Sequence, residues 1–202
     1  MKLYSYVIPR DYGFAPNPFH GYCTLATCKP VIRRTAQIGD WIAAFDAKNQ
    51  SISERLVCLM KVSETLTFDE YWIDKRFSSK RPVFDKSMTH KYGDNIYHHE
   101  DGAWVQEMSH HSLNDQINVK NLTTDTRTDR VLIAKEFYYF GEEAILLPTE
   151  YQPLIGHGRN HRVSNDSALI KSLIRYIRNQ YSSGIQGLPF SRKQGEFKRY
   201  SG

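Results

Sequence analysis

Gly39-Asp40-Trp41-Ile42-Ala43-Ala44-Phe45-Asp46, followed by Arg55-Leu56-Val57-Cys58-Leu59-Met60-Lys61-Val62-Ser63, decides the fold class. The first stretch reads as a tight turn feeding a short strand. The second reads as its return, and its continuous apolar centre argues burial on both faces. A polar turn around residues 48–51 joins them, so the two strands run antiparallel. A second hairpin follows from Asp101-Gly102 between two aromatic runs, because a type I′ turn needs positive φ at both central residues. Its register pairs His99 with Trp104 and His98 with Val105. Further strands are expected over 3–8, 22–27 and 131–140, with a short addition at 144–147. No strand–helix–strand alternation is visible, so the expectation is an α+β protein.

Two helices stand out. Thr67 can cap the first, with Glu70 at capping-box spacing and Phe68, Tyr71 and Trp72 as the apolar face; it should end near Phe77, ahead of Pro82. The second covers 166–181, capped by Asn165 or Asp166. Leu169, Ile170, Leu173, Ile174 and Ile177 form one face of it, and Lys171, Arg175 and Arg178 the other. Residues 109–129 are polar and rich in Asn, Thr and Asp, and read as a long loop.

A chain of 202 residues, 40% hydrophobic and 24% charged, has the size and composition to build a real core, which argues against disorder or coiled coil. A purely apolar run such as Trp41 to Phe45, unsurpassed in length in the chain, is far below the roughly 20 residues of a bilayer span, so no membrane partner is expected. The start of the chain lacks the apolar core of a secretory signal. Cys23, Cys28 and Cys58 are odd in number and scattered, which suits a reducing cytoplasm better than a disulfide framework.

Charge divides the chain. The net charge is +5, yet residues 158–202 hold nine Lys and Arg against Asp166 and Glu196 alone, while 1–157 are nearly balanced. We therefore expect a folded domain over 1–157 and a basic helix with a mobile tail over 158–202. The excess of cations suits an anionic partner, nucleic acid first, and equally a solvated tail with no partner.

The loop Arg10-Asp11-Tyr12-Gly13-Phe14-Ala15-Pro16-Asn17-Pro18-Phe19 carries three large aromatics where its prolines forbid regular structure. Either it packs down on the body or it lines a pocket. In the pocket reading Tyr12, Phe14, Phe19, Trp41 and Trp72 supply flat rings for a base, and Asn17, His20 and Asn95 read its edges. Taken singly, Trp41 and Trp72 read rather better as core. Arg33, Arg34, Lys171, Arg175 and Arg178 are the candidates for phosphate contact. His110 and His111, in a polar Ser-His-His stretch, are the candidates for acid–base work. No cofactor and no metal centre is expected. Adjacent histidines on a strand face opposite ways, no pair has helical i, i+4 spacing, and Cys23 and Cys28 would oppose each other on a strand.

That loop, together with Cys23-Thr24-Leu25-Ala26-Thr27-Cys28-Lys29-Pro30, Arg33-Arg34-Thr35-Ala36 leading into Gly39-Asp40-Trp41, Phe68-Asp69-Glu70-Tyr71-Trp72, Lys80-Arg81-Pro82 and Tyr92-Gly93-Asp94-Asn95-Ile96-Tyr97, resembles the nucleotide modification associated domain 2 family. The resemblance runs from residue 1 to about 147. It implies an association with enzymes that alter DNA bases and brings no catalytic residues with it. The order of strands and turns also resembles the PUA-like group of EVE, ASCH and YTH domains, small β-barrels that hold a nucleobase in an aromatic pocket. The expectation is thus a small, mostly antiparallel PUA-like β-barrel with flanking helices and a C-terminal basic amphipathic helix. It would bind DNA or a nucleotide, recognising a modified base as an accessory in DNA modification or phage defence, with a DNA-modifying enzyme as a further candidate partner. The alternative is an enzyme acting on a modified base or nucleotide through its histidines.

Overall fold

The computed structural model describes residues 1–47, 55–114, 116–156, 160–192 and 196–199. Along the chain, β1 (Leu3–Ile8) and β2 (Cys23–Leu25) precede α1 (Pro30–Thr35). Then come β3 (Trp41–Asp46), β4 (Leu56–Lys61), β5 (Glu64–Leu66) and α2 (Phe68–Ile73), followed by a 3-10 turn over Lys75–Lys80. α3 (Met88–Lys91) leads into the hairpin of β6 (Tyr97–Glu100) and β7 (Ala103–Gln106). α4 (Val119–Thr126), β8 (Val131–Ala134), β9 (Phe137–Tyr139), β10 (His161–Ser164), α5 (Ser167–Gln180) and β11 (Gly184–Ile185) complete the order.

Six strands form one sheet in the order β10-β1-β3-β4-β9-β11, and β2-β8-β5 form a second. Both expected hairpins are present: Ala43 faces Leu59 across β3 and β4, and β6 pairs with β7 in the register His99–Trp104 and His98–Val105. The polar turn expected around 48–51 lies outside the described residues. Most pairings are antiparallel, but β1 lies parallel to β3, with β2 and α1 in the chain between them. That crossover left no periodic signal, because β2 is only three residues long and α1 only six. The α+β class holds, but no closed barrel is seen among the described residues: the large sheet ends on β10 and β11, and the fold there is open and layered.

The layers follow from side-chain alternation along strands. In β1, Tyr4, Tyr6 and Ile8 join Cys23, Leu25, Leu132 and Ala134 of the small sheet in one core. Leu3, with Trp41, Ala43 and Phe45 of β3, faces the other way into Ile170, Leu173, Ile174 and Ile177 of α5. The far face of β8, Val131 and Ile133, packs on Phe68, Tyr71 and Tyr97. Residues 161–185 therefore share the main sheet and its core; the boundary expected at 157/158 itself falls outside the described residues. No helix among the described residues is long and apolar enough to cross a membrane.

α2 carries the expected capping box, with Thr67 accepting from the Glu70 N–H and Glu70 from the Thr67 N–H. It stops at Ile73 instead of Phe77, because Asp74 accepts from the Arg76 N–H and starts the 3-10 turn. α5 is capped by Asp166 on the Leu169 N–H. The reading of 109–129 as loop is corrected by α4, a helix of poor formers capped by Asn118 and held by the buried Asn121 and Asp125.

Candidate active site

Four segments converge on a cleft of about 680 Å³. The end of β1 runs into the loop that carries Tyr12 and Phe14. The β2–α1 turn supplies Cys28 and Lys29. The turn after β7 supplies His110 and His111, and α4 presents Lys120, Asn121, Thr124 and Asp125 at i, i+4 spacing on one face. Arg199 reaches in from the C-terminal segment.

The loop is pinned from below. Gly13 sits at φ 63°, and a Cβ there would come within 2.6 Å of the Phe19 ring, so only glycine fits. The Asp11 carboxylate accepts from the Gly13 N–H at 2.9 Å and from the Tyr139 hydroxyl at 2.5 Å. Asn17 is wholly buried: its Oδ1 accepts from Lys80 Nζ at 2.8 Å, and its Nδ2 donates to the Tyr92 carbonyl at 3.1 Å. Burial draws the Lys80 amine down to about 8 against the opposing pull of Asp94.

At the floor of the cleft lies a relay. Cys28 Sγ is 3.7 Å from His111 Nε2, and the opposite ring nitrogen, Nδ1, lies 3.0 Å from Asp125 Oδ2. Cys28 is half-buried, whereas the His111 and Asp125 side chains are 4% and 3% exposed. Asp125 is fully engaged: Oδ2 also accepts from the Tyr97 hydroxyl at 2.9 Å, and Oδ1 from the Cys28 N–H at 2.8 Å. The His111 carbonyl accepts from Asn121 Nδ2 at 3.1 Å, which fixes the ring's backbone to α4. Burial alone would lower the His111 pKa. The negative charge available at Cys28 and the hydrogen bonds to Asp125 and Cys28 outweigh it and hold the imidazole up to about 10. His111 is therefore an imidazolium at neutral pH, with its Nε2 edge at a sulfur.

The Cys28 turn is strained. Cys28 and Lys29 are consecutive non-glycine residues at φ 58° and 42°, a conformation that costs on the order of 1–3 kcal/mol per residue. Arg33 holds it. Its guanidinium, with no exposed surface, donates to the carbonyls of Cys28 at 2.9 Å, Thr128 at 2.7 Å, Arg130 at 2.8 Å and Asp125 at 2.5 Å. The expected phosphate contact at Arg33 is thereby corrected: four carbonyls occupy it, and it serves as a clamp between the Cys28 turn and the end of α4.

Above the relay the cleft is aromatic and basic. Phe14 packs 4.7 Å from the His111 ring and 5.1 Å from His110, and Tyr12 stacks on Tyr92 at 5.1 Å. His110 is pushed down to about 3, chiefly by burial, with the neighbouring cations adding to it and the Lys198 carbonyl opposing it. It is neutral at pH 7, the opposite of its neighbour. Arg10, Lys29, Lys120 and Arg199 line the opening, and Lys29 Nζ lies 4.6 Å from the Tyr6 ring.

The structure scatters the other expected base-contacting residues. Trp41 is 1% exposed beneath a separate groove of about 500 Å³ that also contains Lys61, Lys171, Arg175 and Arg178. Two groups of sequence candidates, one aromatic and three cationic, thus meet there and not at the cleft. Trp72 has His98 stacked at 4.0 Å and the Arg81 guanidinium at 3.7 Å, which must occupy opposite faces of the ring and leave none for a base. Phe19 and Asn95 are buried, and Asn95 Nδ2 donates to the Tyr71 carbonyl at 2.9 Å. His20 lies against His90 at 4.8 Å, and burial lowers its pKa to about 4. Arg34 is exposed and lines neither opening.

Cys28, His111 and Asp125 also place three donor atoms within 4.8 Å of one another, the spacing a metal ion needs. The donor set fits one poorly. Three donors fall short of the four of a structural zinc site, and the Asp125 carboxylate is already shared among the Tyr97 hydroxyl, His111 Nδ1 and the Cys28 N–H. Sequence reasoning missed Cys28 and Asp125 as site residues. The one local signal was a cysteine just ahead of Lys29-Pro30, where proline opens a helix.

A family model described as nucleotide modification associated domain 2 matches residues 1–196. No curated protein and no solved structure matches the chain.

Proposed function

The chain belongs to the nucleotide modification associated domain 2 family, and we propose that its basic cleft takes up a nucleotide, or a base extruded from DNA, in a DNA-modification or phage-defence system. The observation that carries this reading is the coincidence in one cleft of Tyr12 and Phe14 with Arg10, Lys29, Lys120 and Arg199. Tyr12, half-buried and stacked on Tyr92, is the ring with surface left for a planar heterocycle, at about 1–3 kcal/mol per stacked base, while the cations offset phosphate charge; Phe14, 4% exposed, backs the two histidines from within. The cleft volume of about 680 Å³ lies in the range of small-molecule sites. The family's description points to nucleotide-modification systems, which supports a nucleotide or base as the occupant of the cleft.

The test is calorimetric titration with nucleoside mono- and triphosphates and with short single-stranded DNA at two salt concentrations. Binding that weakens as salt rises and drops about tenfold or more in Tyr12→Ala or Lys120→Gln supports the reading. Equal affinity in the native chain and in both folded variants would overturn it.

A further inference from the structure

We infer that Cys28 is a catalytic nucleophile, with His111 as its acid and base and Asp125 as the residue that positions His111, and that the cleft performs hydrolytic acyl transfer. This deepens the nucleotide reading by making the occupant a substrate with an ester or amide carbonyl, such as an acylated base or nucleotide.

Geometry carries the inference. A buried structural cysteine packs among apolar groups, as Cys23 and Cys58 do in the first core. Cys28 instead faces a solvent-connected cleft, with an imidazole nitrogen at 3.7 Å and that ring's other nitrogen fixed on a buried carboxylate. Nucleophile, base and orienting carboxylate in that sequence of contacts form the arrangement that activates thiols. An imidazolium beside a sulfur is also the setting in which proteins stabilise a thiolate. The strain in the Cys28 turn fits the same role, since it costs stability and aims the side chain into the cleft.

The reaction balances with water alone. The Cys28 thiolate attacks the carbonyl carbon, a C–S bond forms, and the π pair moves to oxygen. The adduct collapses, the carbonyl re-forms, and the leaving nitrogen or oxygen departs with its bonding pair and the Nε2 proton of His111. The acyl group is then a thioester on Cys28. Neutral His111 takes a proton from water as the water oxygen attacks that thioester. The C–S bond breaks with its pair on sulfur, restoring thiolate and imidazolium and releasing a carboxylic acid.

The experiment uses the full chain and two probes, iodoacetamide and p-nitrophenyl acetate. At about pH 6, iodoacetamide should alkylate Cys28 at least about tenfold faster than the urea-unfolded chain, as located by peptide mass mapping. His111→Asn should abolish that advantage, and Asp125→Asn should move the onset of alkylation to higher pH while circular dichroism stays native. p-Nitrophenyl acetate should leave an acetyl group on Cys28 that turns over, and none in Cys28→Ser. Cys28 reactivity equal to that of the unfolded chain overturns the inference. So does stoichiometric zinc whose chelation is needed to expose the sulfur, and so does acetylation that persists in Cys28→Ser. If Cys28 reacts as stated but nucleotides neither bind nor slow alkylation, the nucleotide reading fails and the nucleophile stands. If nucleotides bind and Cys28 is inert, the reverse holds.

Discussion

Arg33 donates from Nε to the carbonyl of Cys28 at 2.9 Å, and through Nη2 to the carbonyl of Asp125 at 2.5 Å. One buried guanidinium thus ties together the two residues that flank His111 in the relay. The fork geometry matters, because a lysine could not reach four carbonyls from one point charge. Arg33→Lys should destabilise the chain by about 2–4 kcal/mol in urea denaturation, since buried carbonyls lose their donors. It should also slow Cys28 alkylation, because the left-handed turn relaxes. A stability change within about 0.5 kcal/mol of native would show that the clamp is dispensable.

Much of this architecture was legible as local pattern. The Thr67–Glu70 box, the Asp101-Gly102 hairpin with its register, and the amphipathic face of α5 each depend on residues a few positions apart. Cys28, His111 and Asp125 do not. They come from a turn after β2, a turn after β7 and a helix built from poor helix formers, and only tertiary packing brings them together. The aromatic candidates divide for a related reason, Tyr12 and Phe14 lying at the cleft and Trp41, Trp72 and Phe19 elsewhere. Ring type says nothing about which sheet face a strand residue occupies, and Trp41 faces α5 while the cleft lies beyond the other end of β1.

Acid should loosen the fold through His110. Its pKa in the folded chain, about 3, lies below the ordinary value near 6.5. Between those values the unfolded chain binds a proton that the folded chain excludes, so this contribution is present above about pH 6.5 and is lost as pH falls toward 3. His111 behaves oppositely: its pKa is raised to about 10, so its contribution is intact below about pH 6.5 and fades as pH rises through 10. Urea midpoints measured from about pH 7 down to pH 4.5 should fall, and His110→Phe should flatten that slope. An unchanged slope in the variant would assign the acid sensitivity elsewhere.

Lys80 and Asn17 make a second test of how the cleft is held. Lys80 Nζ donates to the Asn17 carbonyl at 3.0 Å as well as to its side chain, and the buried Asp94 accepts from the Thr24 and Tyr71 hydroxyls at 2.6 and 2.9 Å. Lys80→Met takes from Asn17 its charged donor, leaving the Phe19 and Thr24 N–H groups, and leaves Asp94 without a nearby cation; it should cost about 3–5 kcal/mol. Adding Asp94→Asn should return part of that loss, because the uncompensated charge is gone. Strict additivity of the two changes would mean that the residues do not communicate.

Polynucleotide binding should separate from cleft binding on α5. Lys171 and Arg175 flank the groove over Trp41, while Arg178 is engaged with Glu136 at 2.7 and 2.8 Å. The groove includes Met1, ahead of β1, and Gly39, ahead of the parallel β3, and the cleft begins at Val7 near the end of β1, so the strand sets them roughly 15–20 Å apart. A mononucleotide in the cleft cannot span that distance, but a strand of DNA can. Replacing Lys171 and Arg175 together by Gln should therefore leave mononucleotide affinity unchanged. It should weaken single-stranded DNA binding and reduce the log–log salt slope by about 1.4, at roughly 0.7 per phosphate contact. A native salt slope in the double variant would remove α5 from the DNA-binding surface and leave its basic face as a solvated exterior.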